Sequence, residues 1–334
     1  MKTVFFEVEE WEKPFLKQHV GKDMVLVEDL LTPETASAHA DAEIISTFIT
    51  SPVDKNVLSK MPHLKYITTR STGFDHIDLA YCKEKDIVVS NVPSYGVHTV
   101  AEHTFGLILA LAKKLIPSIE QTRRGDFSLS GLEGIDLNGK TLGVIGAGKI
   151  GTMVIHLARA FGMHVLVYTR HPKPQENHNV EFLTSLESLL GRSDFVTLHL
   201  PLTPETKHFI NKKNIGFFKK GAYLINTARG GLVETEALLD ALAKKQLAGA
   251  GLDVLEDECD IREERELLSS EFLKSCDLKT QLMQHMLLNR DDVLVTPHKA
   301  FDTKEAIEEI LETTMSNIKH FEEGKPQNMV EVSD

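Results

Sequence analysis

The sequence predicts an α/β protein of two domains, one of them built on a doubly wound parallel sheet. Three observations carry that expectation. The chain has 334 residues, more than the roughly 100–200 of one domain. Short apolar, strand-like runs alternate with helical stretches, the rhythm of parallel sheets with crossover helices. A glycine loop, Gly146-Ala147-Gly148-Lys149-Ile150-Gly151, stands between one such run and a helix.

In the N-terminal third the strand-like runs are Thr3–Glu7, Ile44–Ile49, Tyr66–Thr69 and Ile87–Ser90. A turn-rich segment, Asn91 to Gly96, leads into an amphipathic stretch from Thr99 to Ile116. This is expected to be one helix bridging two domains, ended by Pro117. A second series then begins at Gly139. Its runs are Thr141–Ile145, His164–Tyr168, Asp194–Leu198, Ala222–Ile225, Ala248–Leu252 and Asp292–Thr296. Each is nearly continuously apolar, as strands buried on both faces are, and six such strands suit a doubly wound sheet. Glu234–Lys244 is a crossover helix. The charged stretch Cys259–Arg290 is longer than a crossover requires and reads as a helical insertion beside the site. Thr303–Glu323 is helical and the tail from Gly324 is polar.

Composition excludes several classes. With 42% hydrophobic and 26% charged residues the chain is neither disordered nor fibrous. Its longest strongly apolar run, Phe105–Ala112, is eight residues, against the roughly 18 of a membrane-spanning helix, so no membrane partner is expected. A net charge of −12 without a basic stripe makes nucleic acid a poor partner. Cys82, Cys259 and Cys276 are odd in number and form no C-x-x-C pair. They read as free thiols of a cytoplasmic protein, with no metal site. The opening Met1-Lys2-Thr3 shows no secretory leader.

The glycine loop fits dinucleotide binding. Gly146 permits a tight turn, Gly148 a close approach of backbone to pyrophosphate, and Gly151 close helix–strand packing. The helix start offers N–H groups to phosphate. An acid is expected about 20 residues on, to hold a free ribose 2′-hydroxyl. This chain has Thr169-Arg170 there, with His171 and Lys173 following. A guanidinium suits a 2′-phosphate, so NADP(H) is expected over NAD(H). The plain alternative has Arg170 stacked on adenine or turned to water.

Ligands of open α/β sheets lie outside the carboxyl ends of the strands. Arg229 follows the fourth strand of the second series, Glu258 lies beyond the fifth, and His298 follows the sixth. An arginine suits a substrate carboxylate, and a His–Glu pair suits proton transfer near neutral pH. Glu258 sits in the acidic stretch Glu256-Asp257-Glu258, where a solvated charge is the plain alternative.

The whole set of motifs resembles the D-isomer-specific 2-hydroxyacid dehydrogenases. It comprises Thr69-Arg70-Ser71-Thr72-Gly73-Phe74-Asp75-His76-Ile77-Asp78, Asn91-Val92-Pro93, Val100-Ala101-Glu102-His103, the glycine loop, Leu198-His199-Leu200-Pro201, Asn226-Thr227-Ala228-Arg229-Gly230, Gly251-Leu252-Asp253-Val254 and Thr296-Pro297-His298. The resemblance implies a Rossmann domain, residues 99–298, inserted into a flavodoxin-like α/β substrate domain made of 1–98 and 299–334. It implies catalysis by Arg229, Glu258 and His298, and substrate contacts at Thr72 and Gly73. Cofactor contacts would fall at Val100, Lys149, Ile150, His199, Pro201, Thr206, Thr227, Ala228 and Asp253. Tyr95 and Phe301 resemble the D-lactate dehydrogenase branch, where they would line the substrate pocket; plain packing is the alternative for both. The implied activity is hydride transfer between NAD(P)H and C2 of a small 2-oxo acid, in a homodimer joined through the cofactor domains. Glyoxylate or hydroxypyruvate reduction is the alternative within that chemistry. A dinucleotide-sensing corepressor of the same fold is the alternative outside it.

Overall fold

The computed structural model describes residues 1–19, 23–170, 180–256 and 278–330. It contains two units, Met1–Gly96 with Asp302–Asp334, and Val97–Phe301.

Among the described residues the first unit carries five parallel strands: β1 (Thr3–Phe5), β2 (Met24–Leu26), β3 (Ile44–Thr47), β4 (Tyr66–Thr69) and β5 (Val88–Ser90). Their order is β2-β1-β3-β4-β5, the flavodoxin-like arrangement. Side chains alternate between the two faces of the sheet, as the two-residue strand period demands. Val4, Ile45 and Ile67 pack into one core. Phe5, Ile44 and Tyr66 pack on the other face with Leu311 and Ile318. Those two come from the helix Lys304–Glu322, whose buried positions Ala306, Ile310, Leu311, Thr314, Asn317 and Ile318 follow helical spacing. Its Phe321 ring stacks on Tyr66 at 4.2 Å. The polar tail is not idle, because Val330 N donates to Val89 O at 2.8 Å.

In the second unit β6 (Thr141–Ile145), β7 (His164–Tyr168), β8 (Val180–Leu183), β9 (Phe195–Leu198), β10 (Ala222–Asn226), β11 (Leu247–Leu252) and β12 (Val293–Val295) are all parallel. The order β12-β11-β10-β9-β6-β7-β8 is the doubly wound one, with its switch point between β6 and β9. The α/β fold class read from the sequence therefore holds, with seven strands here in place of six. The extra strands, β2 and β8, lie at sheet edges and are only half-buried, so neither gives a continuous apolar signal.

One helix is corrected. The stretch expected as Thr99–Ile116 is a helix from Val97 to Ala112, a break, and a second helix from Leu115 to Arg123. Lys114 takes a left-handed conformation, φ +48°, between them. Pro117 then falls in the first turn of the second helix. There its missing N–H forfeits no bond, so it begins a helix instead of ending one. Both helices belong to the second unit. Of the expected insertion Cys259–Arg290, residues 257–277 lie outside the described residues, and Leu278–Leu288 is helical. No helix among the described residues is long and apolar enough to cross a membrane.

The helix Lys304–Glu322 starts at Thr303, whose side chain accepts a hydrogen bond from Ala306 N at 3.3 Å. Thr303→Ala should lower the unfolding free energy by about 1 kcal/mol, the usual worth of such a cap. Chemical denaturation of the two proteins side by side checks this.

Candidate active site

Six loops leave the carboxyl ends of β6, β7, β9, β10, β11 and β12, and each carries residues singled out from the sequence. The glycine loop follows β6. Gly146 has φ +95°, and a Cβ added there would meet His199 O at 2.4 Å. The loop after β6 and the residue after β9 thus touch backbone to backbone across the switch point. A Cβ on Gly151 would meet Gly146 O at 2.0 Å, so the helix Lys149–Ala160 lies against the loop as closely as glycine allows. At Gly148 an added Cβ meets nothing within 4 Å. That residue is the helix N-cap and has no side-chain cap bond. Open space beside an uncapped helix start is where a pyrophosphate fits, and the donor set is right for one. Lys149 is exposed and Ile150 half-buried in the first turn.

After β7, Thr169 is half-buried and Arg170 exposed, while His171 and Lys173 lie outside the described residues. After β9, His199 Nε2 lies 3.0 Å from Thr197 Oγ1. Burial pushes its pKa down to about 3, so the ring is neutral at physiological pH. The chain beyond is tied by Thr206, whose Oγ1 donates to Pro201 O at 2.6 Å and accepts from Thr203 N at 2.7 Å. The Glu205 carboxyl in the same loop is held below its ordinary value by the Thr203 hydroxyl and its own backbone, with the charge of Arg170 adding to the effect.

Asn226 ends β10 and is buried. Its Oδ1 accepts from Ala228 N at 3.1 Å and its Nδ2 donates to Arg229 O at 2.9 Å. The turn that presents the half-buried Arg229 is thereby fixed from beneath. Thr227 Oγ1 lies 2.9 Å from Thr104 Oγ1 on the helix Val97–Ala112, and Thr104 in turn donates to Val100 O at 2.8 Å. Behind the turn, a Cβ on Gly230 would meet Leu255 O at 1.7 Å, so the chain after β11 crosses it in backbone contact.

Asp253, directly after β11, is buried. Its carboxylate accepts from Thr296 Oγ1 at 2.5 Å, Lys299 N at 3.0 Å and Ala300 N at 2.8 Å. His103 Nε2 lies 3.4 Å away. Burial raises its pKa, but the bonds from His103, Thr296 and the two amides outweigh that and hold it below the ordinary carboxylate value. Because the folded value is the lower one, the stabilisation is complete above about pH 4 and is lost only as pH falls through the lowered pKa. Asp253 also carries His298, whose backbone N donates to Asp253 O and to Thr296 O, both at 2.9 Å. His298 is held at φ +48°, a conformation uncommon for a residue with a side chain.

Glu258 lies outside the described residues. Its neighbour Glu256 is not a solvated charge, because it accepts from Thr235 N at 2.9 Å, from Thr235 Oγ1 at 2.7 Å and pairs with His208 Nε2. His103 and Asn226 act on the site without having been singled out. Both stood inside quoted motifs, but the partners that give them work are distant in sequence.

In the first unit Thr72 is exposed, with its Oγ1 donating to Val92 O and its carbonyl accepting from Asn91 Nδ2, each at 2.8 Å. Gly73 O accepts from Ser71 Oγ at 2.5 Å. Tyr95 is half-buried, as is Phe301 at the end of the second unit. No group of three or more metal-ligating side chains occurs among the described residues.

Comparison with known proteins agrees with this geometry. Residues 105–300 match the model of the "D-isomer specific 2-hydroxyacid dehydrogenase, NAD binding domain". A 2-hydroxyacid dehydrogenase homolog of Zymomonas mobilis is 36% identical over 312 residues, 92% of each chain. A structure of the pyruvate reductase of Chlamydomonas reinhardtii superimposes with a TM-score of 0.87 at 35% identity, covering 97% of both chains. The D-lactate dehydrogenase of Aquifex aeolicus, complexed with NAD and lactic acid, gives 0.84 at 37% identity, covering 97% of this chain and 96% of that one. With its glycine loop after β6 and its strand-end residues in that order, the chain belongs to the D-isomer-specific 2-hydroxyacid dehydrogenases, oxidoreductases that act on a CH–OH group and carry an NAD-binding domain.

Proposed function

We propose that this enzyme reduces a small 2-oxo acid, pyruvate or a close analogue, with Arg229, Glu258 and His298 as its working side chains. The observation that carries the reading is the left-handed His298 backbone, fixed by two hydrogen bonds. Strain of this kind persists where the surroundings over-determine it, and it collects at functional sites. When bound, the dinucleotide supplies hydride chemistry at C2. Arg229 binds the carboxylate through its planar fork and helps polarise the oxo group. His298 donates a proton to the developing alkoxide, and Glu258 orients the imidazole. Thr72 and Gly73 of the first unit give backbone contacts to the carboxylate, and Tyr95 and Phe301 line the pocket. Val100, Gly146, Gly148, Lys149, Ile150, Gly151, His199, Pro201, Thr206, Thr227, Ala228 and Asp253 form the cofactor site.

The cofactor reading is NADPH over NADH, supported by Thr169 standing where an acid would repel a 2′-phosphate and by the exposed Arg170 beside it. Assembly is read as a homodimer through the second unit. Support comes from the helix Leu115–Arg123, which buries no residue, and from Phe127 and Leu129, 79% and 84% exposed. An apolar patch of that kind on a folded surface marks an interface. A cytoplasmic location belongs to the same reading, supported by the buried free thiol of Cys82.

His298→Gln should lower turnover by about 10²–10⁴, the usual contribution of general acid–base catalysis, with cofactor affinity nearly intact. Steady-state kinetics and cofactor titration check it, and retention of more than about a tenth of turnover would remove His298 from that role. Arg229→Lys keeps the charge and loses the fork, so kcat/KM should fall by more than about tenfold, the value of about 1.4 kcal/mol. Near-normal kinetics would mean that the carboxylate is held elsewhere. NADPH should exceed NADH in kcat/KM by about tenfold, since one charge-assisted contact is worth about 1.5–3 kcal/mol before solvent weakens it. Thr169→Asp with Arg170→Ala should reverse the order. A wild type that favours NADH by about tenfold overturns the NADP reading.

A further inference from the structure

A charged cluster in the first unit is not used by the chemistry proposed above. Arg70 is the first residue after β4, and its side chain is completely buried. Its Nε lies 2.6 Å from Glu12 Oε1, and Glu12 is buried as deeply. Its Nη2 donates to the carbonyls of Phe6 at 2.7 Å and Glu7 at 2.9 Å, and its Nη1 to Ser46 Oγ at 3.1 Å. Glu7 has φ +55° and a carboxylate that accepts from the amides of Phe48, Thr50 and Ser51 at 2.7–2.9 Å. Arg70 therefore reaches from the exit of β4 past β3 to the exit of β1. In a sheet ordered 2-1-3-4-5 that is the switch point, the usual ligand crevice. The chain's own guanidinium occupies it.

A buried ion pair is by itself weak evidence for a stabilising role, since it repays its desolvation poorly and well-packed apolar replacements are often neutral or stabilising. What the pair secures is the path of the chain leaving β4. Arg70 N donates to Thr47 O at 2.8 Å. Ser71 Oγ lies 2.7 Å from Thr69 Oγ1 and donates to Gly73 O, while Asn91 and Val92 hold Thr72. Beyond the Arg70 amide, each of these bonds uses a carbonyl or hydroxyl of the loop. Among the described residues the amides of Thr72 and Gly73 donate to nothing, although the loop around them is fixed.

We infer that the buried Arg70–Glu12 pair is a positioning device, which holds the consecutive Thr72 and Gly73 amides as donors to the carboxylate of the 2-oxo acid. The inference rests on the proposed role of that loop in carboxylate binding. It assigns substrate affinity to two residues that touch no substrate, and it leaves cofactor affinity to the glycine loop of the other unit.

Steady-state kinetics with pyruvate, cofactor titration and thermal melting test it on three variants. Arg70→Met with Glu12→Leu removes both charges together. It leaves the Phe6 and Glu7 carbonyls without their donor and so should melt below the parent, yet bind cofactor unchanged and raise KM for pyruvate by about tenfold or more, with kcat within about threefold. Arg70→Lys keeps a cation facing Glu12 and loses the fork to Phe6 and Glu7. It should raise KM severalfold, and it decides the matter if the double variant does not fold. Gly73→Pro removes one amide donor and examines the carboxylate reading itself. If KM is unchanged there, the loop does not bind the carboxylate, and the positioning role falls with that reading. If Gly73→Pro raises KM while both Arg70 variants keep the parental value, the loop binds substrate without help from the pair, and the positioning role alone is overturned. A loss confined to kcat in the Arg70 variants overturns it as well.

Discussion

The carboxylate of Asp253 is the constraint on which the candidate active site hangs. It is a buried charge, and a buried charge is tolerated only when paired and hydrogen-bonded. Its partners come from Thr296 and from the Lys299 and Ala300 amides in the chain after β12, with His103 on the helix Val97–Ala112. Satisfying one residue thus fixes the exit of β12 and ties it to that helix. The backbone of Asp253 extends the fixture. Its amide donates to Asn226 O and its carbonyl accepts from His298 N. The turn bearing Arg229 and the loop bearing His298 are therefore held through the same residue.

Backbone contact does for the loops after β6, β9, β10 and β11 what the Asp253 carboxylate does for the exit of β12. Gly146 against His199, Gly151 against Gly146, and Gly230 against Leu255 each leave no room for a Cβ. Four loops are set by main-chain packing, which a rotamer change cannot relax. The neutral His199 ring belongs with this, since burial removes its charge.

The central strands were legible because parallel strands covered on both faces are nearly continuous apolar runs; β3, β4 and β9 are buried at every position. At the edges β2 and β8 are half-exposed and give no such run. Pro117 misled because a proline just past a helix end and one in a first turn look alike in sequence, and the left-handed Lys114 carries neither the glycine nor the asparagine usual at such a break. Candidate residues were legible for a topological reason: a parallel sheet delivers every strand exit to one edge, so Arg229, Asp253 and His298 are placed by strand order, whereas Thr169 follows from the spacing after the glycine loop and His199 from the family resemblance. Side-chain pairings were not. Arg70 and Glu12 are 58 residues apart, and nothing local in either marks the other as its partner.

The first unit is discontinuous along the chain, and this bears on the order of synthesis. Its sheet needs the helix Lys304–Glu322 to cover Phe5, Ile44 and Tyr66, yet the whole of the second unit is made before that helix emerges. Domains fold as units during synthesis, and the second unit is contiguous. It can complete its core while the face of β1, β3 and β4 has only Val8, Leu16 and their neighbours against it and still lacks the helix Lys304–Glu322. An incompletely covered apolar face is aggregation-prone. The burden on cellular chaperones therefore falls on the unit translated first and finished last.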